Sequence, residues 1–260
     1  MKDQLNRPIS IQQTPKRIVS LVPSQTELLI DLGLEDAVVG ITKFCIHPEH
    51  LRKEKIVVGG TKQVHLDEIK SLNPDIILCN KEENTKEMTS ELEQIAPVHI
   101  SDIFNIDDSL ELIEMYGDLF NKSEKAHEII TKINLKLKAF KELMLSRPKL
   151  KVVYFIWKNP WMIAANQTFI NEMLSINNFE NVFKDVDRYP EITLSELNKR
   201  QPDVILLSSE PFPFKDLDIA EFKSSFPEIK TKIVDGESFS WYGSRLIKAF
   251  EYFEELQKSI

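Results

Sequence analysis

Short apolar runs alternate along this chain with stretches in which apolar residues recur every three or four positions. The first pattern predicts buried strands and the second predicts amphipathic helices. Arg17-Ile18-Val19-Ser20-Leu21 predicts a strand, and Gln25 to Leu32 predicts a helix behind the Pro23-Ser24 turn. Ser24 is the predicted N-cap, Glu27 stands three residues on as in a capping box, and Gly33 is the stop signal. Val38 to Thr42 reads as a second strand, Phe44 to Pro48 as a loop, Thr85 to Ile95 as a helix and Val98-His99-Ile100 as an edge strand. Further on, Lys151 to Ile156 predicts a strand, Thr168 to Ile176 a helix, Lys232 to Val234 a strand, and the chain ends in a helix from about Ser244.

One pattern occurs twice. Leu66-Asp67-Glu68-Ile69 followed by Asn73-Pro74-Asp75-Ile76-Ile77-Leu78 recurs, 128 residues later, as Leu194-Ser195-Glu196-Leu197 followed by Gln201-Pro202-Asp203-Val204-Ile205-Leu206. Each copy predicts a short helix, a Pro-Asp turn and a buried parallel strand. The two aspartates have the turn role, because Asp bonds nearby backbone there. Glu82 and Glu210 stand at equal distances past the two turns. An offset of about half the chain predicts two similar lobes rather than a solenoid, whose periods are roughly 20–50 residues.

Between the copies lies a different pattern. Ser109 to Phe120 is amphipathic, and Ser123 to Leu145 continues without Gly or Pro. Its apolar positions Ile129, Ile133, Leu137, Phe140 and Met144 form one stripe. That stretch would span roughly 35 Å at 1.5 Å per residue, the length of a stiff strut. The predicted class is therefore α/β: two similar parallel-sheet lobes (1–121 and 148–260) joined by one long rigid backbone helix (122–147), with a ligand cleft between them.

Composition narrows the function. The chain has 260 residues, 42% of them hydrophobic, and a net charge of −8, with Lys and Arg in no dense block; nucleic acid is an unsuitable partner. Two cysteines, Cys45 and Cys79, do not make a disulfide scaffold. Met1 to Pro15 is polar, with no apolar segment or small-residue cleavage site, so the chain as written carries no export signal and reads as cytoplasmic. Nucleotide, hydrolase and zinc-protease signatures are absent, and no catalytic constellation appears.

In open α/β sheets ligands gather beyond the carboxyl ends of the strands. The candidates there are Phe44, Cys45, His47 and Asn80 in the first lobe. The second lobe offers Trp157, Trp161 and Asp235, with Trp241 and Tyr242 close by in sequence. All three tryptophans fall at strand ends or in loops. They read either as cover for a hinge or as the walls of an aromatic cleft for a flat, bulky ligand. Cys45-x-His47-x-x-His50 has metal-ligand residue types, but it lacks a fourth ligand for a closed zinc site, so no resident metal is assigned.

Three segments together resemble a known family. Arg17-Ile18-Val19-Ser20-Leu21-Val22-Pro23-Ser24-Gln25-Thr26-Glu27-Leu28 resembles the opening motif of the substrate-binding proteins for vitamin B12, haem and iron siderophores in ABC importers. Val58-Gly59-Gly60 followed by Leu66 to Leu78 resembles the second motif, and Asp235 with Ser244-Arg245 resembles the closing segment. The similarity runs from about Arg17 to Leu256. It implies capture of a small metal chelate in the interlobe cleft, small hinge motion, a monomer, and an ABC permease as partner. It places the protein in the periplasm or otherwise outside the cytoplasmic membrane.

By the same resemblance the vitamin B12 branch is nearest. Phe44-Cys45 stands where that branch has an aromatic-Cys pair, whereas Asn80 replaces a tryptophan. One acidic residue per lobe is implied to dock on permease arginines, and Glu82 and Glu210 are the matched pair, with Glu83 and Glu87 equal candidates in the first lobe. The expectation is a binding protein that uses no cofactor of its own, although its ligand brings cobalt or iron. The rival is a cytosolic carrier or sensor on the same fold without a permease.

Overall fold

The structure, a computed structural model, describes residues 1–260. Its chain divides into two compact units, Met1–Ile133 with Trp241–Leu246, and Asn134–Ser240 with Ile247–Ile260.

Unit one runs β1 (Ile18–Ser20), α1 (Pro23–Asp31), β2 (Val38–Ile41), α2 (Leu51–Glu54), β3 (Ile56–Val57), α3 (Leu66–Ser71), β4 (Ile76–Asn80), α4 (Lys86–Leu92), β5 (Val98–Ser101) and α5 (Ile106–Leu119). The five strands form one parallel sheet in the order β3-β2-β1-β4-β5. Every residue of β1, β4 and β5 is buried, as expected of a parallel sheet covered on both faces. On one face Val19, Leu21, Ile77 and Cys79 pack with Ile69, Met88 and Leu92.

α6 (Ser123–Met144) follows as one unbroken helix, with residues to Ile133 in unit one and the remainder in unit two. The predicted stripe is its packed face: Ile129, Ile133, Phe140 and Met144 are buried.

Unit two holds β6 (Leu150–Trp157), β7 (Met162–Ile163), α7 (Phe169–Ile176), β8 (Phe179–Asn181), α8 (Leu194–Arg200), β9 (Val204–Ser208), α9 (Asp216–Ser225), β10 (Lys230–Val234), α10 (Gly236–Ser240) and α11 (Leu246–Ser259, counted with this unit from Ile247). β10, β9, β6 and β8 run parallel, and β7 pairs antiparallel with β6. The second sheet is thus mixed, where a parallel one was expected. Asn159, at φ 61°, turns the chain straight back after Trp157, and so tight a return makes an antiparallel neighbour.

The duplicated pattern is a duplicated device. Asn73 (φ 43°) and Gln201 (φ 48°) both leave their helices in the left-handed conformation. Asp75 then accepts the backbone N–H groups of Lys16 (2.7 Å) and Arg17 (3.0 Å), and its own N–H donates to the Arg17 carbonyl (2.8 Å). Asp203 accepts from Lys151 N–H (2.7 Å) and donates to the Lys151 carbonyl (2.8 Å). Each aspartate therefore sets the register between the central strand of its sheet and the following repeat strand.

The opening of α1 differs from expectation. Val22 is the N-cap in extended conformation and Pro23 occupies the first helical turn, so Ser24 lies inside the helix and makes no cap bond. Proline suits that place because its missing N–H would have no helical partner there. Glu27 is released from a capping role and turns to Arg245.

Candidate functional site

In unit one the parallel strands bring their carboxyl ends to one edge. Behind that edge is a closed polar frame. Gln25, fully buried on α1, has its amide nitrogen 2.7 Å from Ser101 Oγ, 2.9 Å from Tyr242 OH and 3.2 Å from the Cys79 carbonyl. The Tyr116 hydroxyl donates to Gln25 Oε1 at 2.7 Å. Burial pushes the Tyr242 phenol up to about 12 and the Tyr116 phenol far above its ordinary value, so both stay protonated donors.

Asn80 belongs to this frame. It is buried; its amide donates to Ser101 Oγ (3.0 Å), and its carbonyl accepts the N–H groups of Glu82 (2.8 Å) and Glu83 (3.1 Å). Asn84 accepts the Asn80 N–H (2.8 Å), which closes the β4–α4 loop on itself. Glu83 carries a raised carboxyl pKa, burial being the largest cause, against Lys62 and Thr61. Glu82 is half-buried, and Glu87 is exposed in the first turn of α4.

The expected ligand residues of the β2 loop have separate fates. Phe44 is 48% exposed at the rim, with the Lys43 ammonium 5.0 Å above its ring. Cys45 is fully buried beneath it, its sulfur 3.2 Å from Thr26 Oγ1 and 3.3 Å from Thr42 Oγ1; burial raises the thiol pKa. Buried between two hydroxyls, this sulfur packs the base of the loop. His47 is half-buried, its ring edge-on to Trp241 at 5.5 Å. His50 instead meets Glu35. Cys45, His47 and His50 therefore do not converge on one centre.

Trp241 and Tyr242 were grouped with the second lobe by sequence order; they pack in unit one. The cause is Arg245. Its guanidinium Nε donates to Glu27 Oε2 at 2.8 Å with both side chains buried, and it lies 5.0 Å from the Trp241 ring. Gly243, at φ 81°, takes the turn, and its N–H donates to Ser109 Oγ (2.9 Å). In the sequence Glu27 reads as a capping-box residue and Arg245 as a motif position; nothing local in the chain announces a pair 218 residues apart.

In unit two the rim is aromatic. Trp157 is 39% exposed at the end of β6 and stands edge-on to Phe212 at 5.6 Å, which in turn meets Phe214 at 4.8 Å. Trp161 is half-buried, packed on Phe155 (5.5 Å), Phe222 (5.0 Å) and Phe214 (6.3 Å, stacked). Lys158 lies over the Trp161 ring and bridges Asp218 (2.7 Å) and Glu221 (2.6 Å), which pins the hairpin to α9. Trp161 is thus a support for the wall of which Trp157 is the exposed face. Phe212 and Phe214 escaped notice in the sequence, although Glu210-Pro211-Phe212-Pro213-Phe214 follows β9 directly.

Asp235 caps α10: its carboxylate accepts the Ser238 N–H (3.2 Å) and the Ser238 hydroxyl, while its own N–H donates to Tyr252 OH (2.8 Å). Glu210 accepts from Ser240 Oγ at 2.9 Å. Between them Gly236 leaves no room for a side chain, since a Cβ would lie 2.5 Å from both Ser208 Oγ and Glu210 Cγ. The β9 end, the β10 end and Glu210 are consequently one close-fitted turn.

The family profile described as periplasmic binding protein matches residues 18–230. The chain is 28% identical to an uncharacterized ABC transporter substrate-binding lipoprotein of Bacillus subtilis, across 99% of this chain and 84% of that one. It is 25% identical to a vitamin B12-binding protein of Vibrio campbellii, across 94% of this chain and 91% of the other. Its fold is similar to that of the crystal structure of the periplasmic vitamin B12 binding protein of Vibrio cholerae, with a TM-score of 0.82 at 20% identity, covering 95% and 98% of the two chains.

Proposed function

Because the chain belongs to the periplasmic binding protein family and is a binding protein of the ABC-importer type rather than an enzyme, we propose that it captures a metal-chelate or tetrapyrrole ligand, a corrinoid foremost, and delivers it to a membrane permease. The observation that carries this reading is the form of the strand-end rims: exposed aromatic faces held on buried, hydrogen-bonded frames. Phe44 stands over the buried Cys45–Thr26–Thr42 cluster, and Trp157 stands against Phe212. Such faces suit a broad, flat ligand, because aromatic contact contributes large area at small entropic cost. Similarity to a vitamin B12-binding relative across nearly the whole chain supports taking a corrinoid as the first candidate.

In this reading Phe44, His47 and Trp157 contact the ligand, whereas Cys45, Asn80, Trp161, Asp235, Trp241 and Tyr242 hold the contacting loops. Glu82 and Glu210 dock the permease. Each lies two residues past the end of equivalent strands, β4 and β9, as a matched pair must.

The test is a tryptophan-fluorescence titration with cobalamin, haem and a ferric-siderophore panel, corrected for ligand absorbance and repeated on Trp157→Ala. Saturable quenching by one ligand at micromolar or lower concentration, weakened at least tenfold by the substitution, is the expected result. A flat response to every ligand overturns the proposed ligand class. Glu82→Gln with Glu210→Gln, which keeps an acceptor for Ser240, should leave that affinity unchanged and abolish stimulation of the reconstituted permease–ATPase; unaltered stimulation overturns the docking assignment.

A further inference from the structure

Away from both rims, unit one carries a cluster of ligating side chains with no part in ligand capture. The geometry points to a divalent-cation site formed by Glu35, His50 and Glu54, with Zn²⁺ the best-matched ion. One ligand atom from each residue lies within 4.8 Å of the other two.

Two independent features build the cluster. The first is a chelate on one element: His50 has helical backbone angles (φ −65°, ψ −27°) at the head of α2, and the Glu54 N–H donates to the His50 carbonyl at 3.2 Å. His50 and Glu54 therefore stand one turn apart on the same face, the i, i+4 spacing at which two side chains meet. The second is an approach from another element. Glu35, in the turn between α1 and β2, brings Oε1 to 2.7 Å from His50 Nε2. The Lys55 ammonium holds that turn by donating to the Glu35 carbonyl at 2.7 Å, which leaves the Glu35 carboxylate to the imidazole.

One imidazole nitrogen and two carboxylate oxygens form a three-ligand set for a borderline cation, with water completing the shell. Tetrahedral ligands about 2.0–2.1 Å from an ion sit roughly 3.3 Å apart, so an ion would replace the 2.7 Å His50–Glu35 hydrogen bond and draw in Glu54, whose ligand atom already lies within 4.8 Å of the other two. The carboxylates bring two negative charges, and the site is solvent-accessible, so an ion enters without opening the fold. Arg52, Lys53 and Lys55 on the same short segment weaken the attraction, so micromolar rather than nanomolar affinity is expected. A bound ion would tie α2 to the α1–β2 connection and hold the end of the Phe44–Pro48 loop, which leads directly into α2.

The experiment uses the untagged, metal-stripped full chain, titrated with Zn²⁺ by calorimetry in a non-chelating buffer at neutral pH. Expected is one site per chain with micromolar affinity, and at least a tenfold weakening in His50→Ala and in Glu54→Gln. His127→Ala, on the exposed face of α6, should leave the affinity unchanged. Binding that survives both His50→Ala and Glu54→Gln, or the absence of a one-to-one isotherm at 100 μM Zn²⁺, roughly a hundredfold above the expected dissociation constant, overturns the site. Circular dichroism of each variant separates loss of the site from loss of the fold. None of these outcomes depends on whether the chain binds a corrinoid.

Discussion

The Arg245–Glu27 pair makes the strongest quantitative claim about unit one. Arg245 is 9% and Glu27 5% exposed at the side chain, with Nε–Oε2 at 2.8 Å. Replacing one partner, in Arg245→Met or Glu27→Gln, leaves the other group buried without its counter-charge, and such a change costs about 3–5 kcal/mol. A domain has only about 5–15 kcal/mol in total. Replacing both removes the uncompensated charge, so Arg245→Met/Glu27→Gln should cost less than either single change. The coupling free energy should exceed about 2 kcal/mol, against about 0–1 for a surface pair such as Lys136–Glu251.

The assay is equilibrium urea unfolding followed by circular dichroism and by tryptophan emission, in a background where Trp157 and Trp161 are phenylalanine. Trp241, 8% exposed beside the guanidinium, then reports the pair directly. Single variants that each lose under about 1 kcal/mol, or a double variant as unstable as the sum of the singles, would refute the reasoning. Either result would mean that the 241–246 segment is held by packing and by its Tyr242 and Gly243 hydrogen bonds, without the ion pair.

Two further outcomes follow from buried titratable groups. His99 lies fully buried in β5 beside Tyr116, and desolvation lowers its pKa from 6.5 to about 4. Between those values the unfolded chain binds a proton that the folded chain refuses, so stability falls as pH drops from 6.5 towards 4. The loss at pH 4.5 relative to pH 7.5 is about 2–3 kcal/mol by linkage; urea midpoints of His99→Leu should show a correspondingly flatter acid limb, and an unchanged limb would contradict the assignment. Cys45 and Cys79 are both buried thiols with pKa values raised by desolvation. A chromogenic disulfide reagent should therefore label neither within minutes in the native protein and both in 8 M urea; rapid native labelling of Cys45 would place its sulfur at the surface.

What the sequence disclosed and what it withheld divide along a physical line. The longer strands, the α6 stripe and the Pro-Asp repeat were legible because each depends on local periodicity or turn chemistry, whereas the short strands β3 and β8 carry too few residues to show a period. Asp75 and Asp203 even perform the same register-setting task. The start of α1 was misread because Ser24 and Glu27 satisfy a capping pattern that Pro23 pre-empts. The second sheet departed from parallel because a hairpin was hidden in Trp157 to Trp161. Within the site, type was legible and role was not. Cys45 and Asn80 were correctly placed at strand ends, yet their side chains turn inward, and no spacing rule tells inward from outward at the first residues of a loop.

That distinction bears on how the rims divide their labour. Residues at a strand end must satisfy the backbone groups of a chain leaving the sheet before they can serve a ligand. In unit one Asn80, Asn84 and Gln25 spend their amides on that task, and in unit two Asp235 and Ser209 do the same for the turn into α10. The polar inventory nearest the ends of β4 and β10 is therefore committed to shape. Among the large apolar side chains at the strand-end loops, Phe44 in unit one and Trp157 in unit two stay exposed, with Lys43 and Lys81 exposed cations in unit one. A ligand seated on such aromatic faces, as proposed, would be discriminated chiefly by area and contour, with few polar anchors. Substitutions in the frame, such as at Asn80, should then change ligand affinity by moving loops, whereas substitutions of Phe44 or Trp157 should change it by removing contact.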